Sequence, residues 1–304
     1  MTAIHRVGTS GSQEGENSAY VLPDHRAVID PGYPSDESWQ ALCRGIRETD
    51  LDPSDVEHVL VTHWHVDHAG LAPRLAKRAD AKLHFHEKDA PLVGNYKRER
   101  DRRLRRDRRE LKRWGVPEER IDNLLSSDTP SPIPDTFPVN PHTDGDEIEG
   151  ISLIHTPGHT LGHAAFAVQD AIFVGDAVLP TYTPNIGGSD TRVKDALKTY
   201  INTLERLRSF DGTAYPGHGT VLSLSERIDE IEKHHVQRSR DVLEVVRKSE
   251  EVTPWEVATR LFGEMKRIHT KMGAGEAASH LLYLKEVGTI NRKSKYPLTF
   301  SLDD

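Results

Sequence analysis

Val59-Leu60-Val61-Thr62-His63-Trp64-His65-Val66-Asp67-His68-Ala69-Gly70 is the stretch on which the reading of this chain turns. Its apolar, β-branched start reads as a buried strand, and Leu71 to Ala79 beyond it reads as a helix. Between them, three histidines and an aspartate fall within six positions. In extended backbone His63 and His65 point one way while Trp64 and Val66 point the other. Asp67 and His68 sit where the chain turns into the helix and approach the same space from a second direction. Neutral imidazole with carboxylate is the donor set of zinc or another borderline first-row metal. Four such side chains so close together exceed what a polar strand end requires.

Three later segments repeat the pattern of a strand followed by a turn. Ile151 to Thr156 runs into Pro157-Gly158-His159-Thr160, Ala171 to Val174 into Gly175-Asp176, and Thr213 to Tyr215 into Pro216-Gly217-His218-Gly219. Each places one histidine or aspartate beside a glycine that lets the backbone approach closely. Donors at the ends of neighbouring strands converge at one end of a sheet. Upstream, Ala19 to Gly32 reads as two short strands joined by Pro23-Asp24-His25-Arg26, then a helix over Ser35 to Thr49. Asp30, beside a Pro-Gly turn, fits two roles equally: stabilising that turn, or orienting a metal-binding histidine. His84 and His86 share a face of another strand, Ala81 to His86. They lack an adjacent carboxylate or turn glycine and read as structural histidines. His163, four residues after His159, suits a supporting donor and a core histidine equally.

With 304 residues the chain can bury a proper core in one large or two smaller domains. A net charge of -8 excludes a general polyanion binder, and the single cysteine, Cys43, excludes an intramolecular disulfide. Mean hydropathy is -0.61, no apolar run reaches membrane-spanning length, and Met1 to Asn17 lacks the apolar core of a signal peptide, so the expected location is the cytoplasm, with no membrane partner.

Composition changes between about 95 and 140. Lys97 to Arg113 carries eleven Lys/Arg against four Asp/Glu, a local +7. A solvated charged helix is the default reading; a basic lid that draws an anionic substrate, RNA included, toward the site is the sharper one. In the last third, Ser223 to Lys248 reads as a long helix, Thr253-Pro254-Trp255-Glu256 as a helix start, Ala277 to Val287 as a helix, and Gly288 to Ser301 as a hairpin. That order resembles a small winged-helix domain. Lys266, Arg267, Lys271, Arg292, Lys293 and Lys295 within it could meet phosphates. The scatter of these charges and the scarcity of aromatic residues favour a module that packs on the catalytic domain or on a second subunit, with a homodimer as a candidate assembly.

His63-x-His65-x-Asp67-His68, then His159, Asp176 and His218, supported by Ile29-Asp30-Pro31-Gly32, resembles the metal signature of the metallo-β-lactamase superfamily. The resemblance runs from about Ala19 to His218. It implies an α/β fold: an αββα sandwich over residues 1–235, with the basic insert at about 95–140, followed by a winged-helix-like domain over 236–304. It implies that His63, His65 and His159 hold one metal, that Asp67, His68 and His218 hold a second, and that Asp176 bridges them. The chain lacks the cysteine that the best-known secreted lactamases place at the second metal, and is closer there to glyoxalase II. His65, where flavodiiron reductases have glutamate, points to two zinc ions, with manganese and iron as the other metals that suit the donors. Trp255-Glu256-Val257-Ala258 and His280-Leu281-Leu282-Tyr283-Leu284 resemble the lactamase-β-2-like group, one of whose members is an endoribonuclease.

The chemistry implied is hydrolysis by a hydroxide held between two cations about 3.5–4 Å apart, with Asp67 as a catalytic group that orients the nucleophile or moves its proton. The expected substrate is a small ester, thioester or lactone; the alternative is single-stranded RNA. Tyr182 and Asn185, on the loop after Asp176, are the candidate substrate-binding residues.

Overall fold

Side-chain alternation along the first strands sets the layers of the molecule. The computed structural model describes residues 2–12 and 15–302; parts of the Met1 to Asn17 stretch, and the last two residues of the expected C-terminal domain, lie outside them. One sheet contains β1 (His5–Ser12), β2 (Gly15–Leu22), β3 (Ala27–Ile29), β4 (His58–Leu60), β5 (Lys82–His86) and β6 (Asn140–His142), in that order. Its first three strands pair antiparallel and its last four parallel. The second sheet holds β7 (Glu147–Ile148), β8 (Ile151–His155), β9 (Ala164–Val168), β10 (Ala171–Gly175) and β11 (Thr213–Pro216), in the order β11-β10-β9-β8-β7. Only β10 and β11 run parallel there.

Tyr20 and Leu22 of β2, with Leu60 of β4, pack on Leu153, Phe166 and Phe173 of the second sheet. Ala19, Val21 and Val59 point the opposite way, into a core with Leu42 and Ile46 of α1 (Asp36–Arg47) and Leu75 of α3 (Ala72–Ala79), beyond the single turn α2 (Val66–Ala69). This is the αββα sandwich, built from two mixed sheets. On β5, Leu83 and Phe85 join the helix-side core, so His84 and His86 look toward the sandwich interior. Helix α1 starts where Ser35 accepts a hydrogen bond from Ser38 N at 3.1 Å, as a capped helix requires.

The remaining helices are α4 (Ala90–Gly94), α5 (Tyr96–Arg113), α6 (Glu118–Ser126), α7 (Ala196–Arg208), α8 (Leu224–Arg247), α9 (Pro254–Phe262) and α10 (Ile268–Glu286), with a hairpin of β12 (Asn291–Lys295) and β13 (Leu298–Ser301). The chain forms two compact units: Met1–Arg100, Ser131–Pro184 and Leu204–Ile228 make one, and Asp101–Pro130, Asn185–Thr203 and Asp229–Asp304 the other. These units divide the chain otherwise than at 235/236: residues 101–130 and 185–203 join the C-terminal part, and the boundary at 228/229, like 235/236, falls within the continuous helix α8. Most of the basic insert belongs with the C-terminal helices: Leu111, Trp114, Ile121 and Leu124 share a core with Val242, Val246, Leu281 and Phe300. A buried ion pair, Lys271 Nζ to Asp107 Oδ2 at 2.9 Å, joins α10 to α5, and Thr191 Oγ1 donates to the same carboxylate at 2.7 Å. Helix α10 starts nine residues before the expected Ala277, across Gly273 and Gly275. A Cβ at Gly275 would come within 2.4 Å of Gly188, so close packing favours glycine there despite its poor helix propensity. The expected start of α9 holds: Thr253 and Glu256 form a reciprocal capping box. Among the described residues, no helix is long and apolar enough to cross a membrane.

Candidate metal centre

Every donor of the cluster stands just past a strand, at one end of the sandwich. β4 stops at Leu60, and the chain leaves the sheet before His63, so His63 and His65 are not on an extended strand as expected. The turn nevertheless brings their rings together. His65 Nδ1 lies 3.0 Å from His63 Nε2 and 3.0 Å from His159 Nε2. Helix α2 presents Asp67 and His68, while β10 and β11 deliver Asp176 and His218. Asp176 Oδ1 is 3.4 Å from His68 Nε2, and its Oδ2 is 3.7 Å from His159 Nε2 and 3.6 Å from His218 Nε2. Asp67 Oδ2 is 3.8 Å from His68 Nε2 and 3.6 Å from His218 Nε2. All seven candidate ligands meet, in three overlapping groups: His63 with His65 and His159, His63 with His68 and Asp176, and Asp67 with His68 and His218.

The protons can be placed. Asp30, in a left-handed conformation at φ 50°, accepts hydrogen bonds from Thr62 N (2.7 Å), Thr62 Oγ1 (2.7 Å) and His68 Nδ1 (3.0 Å). A carboxylate only accepts, so His68 carries its proton on Nδ1 and turns the lone pair of Nε2 inward. Because Thr62 Oγ1 donates to Asp30, it accepts from His63 Nδ1 at 3.0 Å, which leaves Nε2 of His63 a lone pair as well. Of Asp30's two expected roles, the structure shows the orienting one. His163 is buried and stacks on His63 with centroids 5.2 Å apart. Its Nε2 accepts from Asp176 N at 3.1 Å, so its Nδ1 donates to Thr156 Oγ1 at 2.8 Å. It supports the Asp176 turn from beside the donor cluster, with both nitrogens engaged.

Lone pairs aimed at each other in a buried space repel unless a cation lies between them. His68 Nε2 and Asp176 Oδ1 are buried without a hydrogen-bond partner, which is what two ligand atoms of a shared metal would show. The carboxylates draw positive charge into the cluster, which a proton or a metal cation can supply. Burial, then the His68 and His65 rings, hold His63 well below the ordinary histidine range. Burial also opposes charge on His68, but the carboxylates of Asp176 and Asp67 outweigh it and hold that pKa well above the ordinary value. Burial disfavours ionised Asp176 too, and His68 with His218 overcomes it, so its carboxyl stays well below the usual range. The residues fit a dinuclear metal centre.

Two glycines make the convergence possible. Gly175 has φ 49°, and a Cβ there would come within 2.6 Å of Thr62 Oγ1. A Cβ on Gly217 would lie 2.3 Å from Asp176 Oδ1.

A match to the family described as the metallo-beta-lactamase superfamily covers residues 13–218. The chain belongs to that superfamily. It is a metal-dependent hydrolase of that class. It is 28% identical over 243 residues to a beta-lactamase-like protein 2 homolog of Caenorhabditis elegans, covering 79% of this chain and 68% of that protein. It is 26% identical over 278 residues to the probable metallo-hydrolase YqjP of Bacillus subtilis, covering 86% and 85% of the two chains. The solved structure of the metallo-beta-lactamase family protein TTHA1429 from Thermus thermophilus superposes with a TM-score of 0.80 at 25% identity, over 99% of this chain and 98% of that one.

The two expected substrate contacts lie outside the donor cluster. Tyr182 is half-buried on the loop after Asp176. Asn185 belongs to the second unit, where its Nδ2 donates to the Met272 carbonyl at 3.3 Å and to Glu276 at 3.4 Å. Those bonds hold its amide nitrogen against α10. One buried carboxylate escaped the sequence reading altogether: Asp89, fully buried at the start of α4, hydrogen-bonds the loops that carry His65 and His159. Its only sequence signal is an aspartate one residue before a short helix with proline in its first turn, a pattern shared by many plain caps.

Proposed function

We propose that this chain hydrolyses a small ester, thioester or lactone at a dizinc centre. The reading is carried by two sets of ligand atoms, His63/His65/His159 and Asp67/His68/His218, that converge on one buried carboxylate, Asp176, whose Oδ1 lies near His68 and whose Oδ2 lies near both His159 and His218. Two bound cations would supply Lewis acidity and lower the pKa of a water toward neutrality. The protein's own part is positional and protic. Asp30 fixes the His68 tautomer and, through Thr62, that of His63. Asp67 is the more accessible cluster carboxylate, 14% exposed against 2% for Asp176, and so suits holding and passing a proton to solvent. Tyr182 stays a candidate contact to a substrate oxygen. Nitrogen-rich donors favour zinc, and manganese or iron suits the same set.

A small substrate is favoured over RNA by the pairing within the basic insert. Arg103 meets Asp128 at 2.7 Å, Arg108 meets Asp122 at 2.6 Å and also Glu118, Lys112 meets Glu118 at 2.9 Å, and Arg113 meets Glu110 at 3.1 Å. Much of the +7 is neutralised locally. Lys271, expected among the phosphate contacts, is buried on Asp107. The RNA reading keeps one observation: α9, α10 and the β12–β13 hairpin have the order of a winged helix, with Lys293 and Lys295 exposed on the hairpin.

Elemental analysis of the purified chain, joined to a panel of esters, thioesters, lactones and single-stranded RNA, tests both. Two equivalents of metal with chelator-sensitive turnover of a small acyl substrate is expected. Metal-dependent RNA cleavage with steep salt dependence, and no acyl turnover, would replace the first reading with the second.

A further inference from the structure

We propose that Asp89 is a positioning residue dedicated to the first metal half of the centre, as Asp30 serves the second; the inference rests on the dinuclear reading above. His65 and His159 are 94 residues apart in sequence, yet their ring nitrogens stand 3.0 Å from each other. Neither lies on a regular strand: His65 ends the turn after β4, and His159 sits in the loop between β8 and β9. A direct main-chain link between the two segments, Ala164 N to Thr62 O at 2.8 Å, lies beyond the ligands on each side, so each loop needs a second anchor nearer its histidine.

Asp89 supplies that anchor to both. Its Oδ2 accepts a hydrogen bond from Trp64 N, between His63 and His65, at 3.3 Å, and another from Thr160 Oγ1, next to His159, at 2.7 Å. Its Oδ1 accepts from Gly162 N at 2.9 Å. One carboxylate thus spans the two loops whose register sets the His65–His159 spacing. The main chain that carries it is anchored, since Asp89 N donates to His86 O at 3.0 Å and Leu92 N donates to Asp89 O at 2.9 Å. The fit leaves no room for slack: a Cβ on Gly162 would lie 2.6 Å from Asp89 Oδ1. Three donors converge on the side chain, and a group that only accepts satisfies them all. Asparagine in the same place would set an NH2 against at least one N–H, and alanine would release both loops. The second half of the centre is wired elsewhere, through Asp30 to His68.

The test uses the full-length apoprotein titrated with cobalt(II), following the visible d–d absorbance while a chelator competes for each equivalent. Wild type takes up two equivalents. Asp89→Ala is expected to weaken one of them by about 10–100-fold and to leave the other in place. Asp30→Ala should weaken the other one through His68 and, through Thr62 and His63, this one as well. Asp89→Asn should fall between wild type and Asp89→Ala. Thr160→Val, which keeps side-chain shape while deleting one bond to Asp89, should weaken the same equivalent by a smaller factor and keep the thermal melting curve. The proposal is overturned if Asp89→Asn and Thr160→Val leave both equivalents at wild-type affinity, or if Asp89→Ala weakens both equivalents to the same extent. Two normal cobalt equivalents in a wild-type chain that hydrolyses nothing would remove the proposed function and leave the role of Asp89 standing. A wild type that binds no cobalt would remove both.

Discussion

Two groups of histidines in the first unit, built from the same side chain, are wired in opposite ways. In the donor cluster, His63, His65, His68, His159 and His218 aim ring nitrogens into one space, where only Asp67 and Asp176 answer them. Along the sandwich face of the first sheet, His58 Nδ1 meets His84 Nε2 at 3.1 Å, His84 Nδ1 meets His142 Nε2 at 2.8 Å, and His142 Nδ1 looks toward Asp146 at 3.7 Å. A proton on Nδ1 of every ring satisfies that whole line. Its neighbours His86 and His155 stack 3.9 Å apart and nearly parallel, an arrangement that tolerates neutral rings. The line runs from ring to ring and ends on Asp146, whereas the cluster converges and leaves lone pairs unanswered. Convergence marks a ligand; the presence of histidine does not.

The largest effect that would break this contrast is at the bridge. Asp176→Ala should lower kcat/KM on an acyl substrate by about a thousandfold or more and reduce bound metal, read by steady-state kinetics and elemental analysis. Full activity in that variant would show that the cluster is not the catalyst. Next comes Asp30→Ala, which frees the His68 ring; metal affinity should drop by about 10–100-fold in a chelator competition while the fold persists. The matching change in the other group, His84→Leu, should leave metal content untouched. It should reduce stability by about 1–3 kcal/mol in urea unfolding, because His58 and His142 each lose a buried partner. Should His84→Leu strip the metal instead, the two groups would be one network.

The smallest effect is a pH dependence. Burial, then the charge of His142 and His58, push His84 down to about 3; burial, then His155, push His86 down to about 4. Both sit below the ordinary 6.5. As pH falls below that value the unfolded chain takes up protons that the folded rings refuse, so stability is present above it and is lost on acidification toward the folded pKa values. Urea midpoints measured between pH 7 and 5 should therefore drop less steeply in His84→Leu than in wild type. Equal slopes would mean that the line of rings does not titrate with folding.

Much of the site could be read from residues 59–70 and three strand-turn units, because metal donors come from a few side-chain types, here histidine and carboxylate, placed where backbone can bend. The candidate donors meet even though His63 and His65 lie past the strand, where alternation no longer applies. Asp30 was open between two roles because both need the same residue at the same turn; only its distance to His68 separates them. Asp89 was illegible because its partners, Trp64, Thr160 and Gly162, lie 25, 71 and 73 positions away and two of the three bonds use backbone N–H groups, which no residue type advertises. The C-terminal elements were legible where caps mark them, as at Thr253, and hidden where packing overrode propensity, as at Gly273 and Gly275.

The sequence by itself determined which atoms can bind a metal and that they fall at strand ends, since side-chain chemistry and local periodicity are properties of short segments. Only the tertiary structure decided which nitrogens keep a lone pair, because that depends on whether a carboxylate or hydroxyl from a distant segment takes the other proton. It also decided that the basic insert shares a core with the C-terminal helices, since burial of Leu111 and Trp114 against Val242 and Leu281 is set by apolar faces finding each other across long stretches of chain.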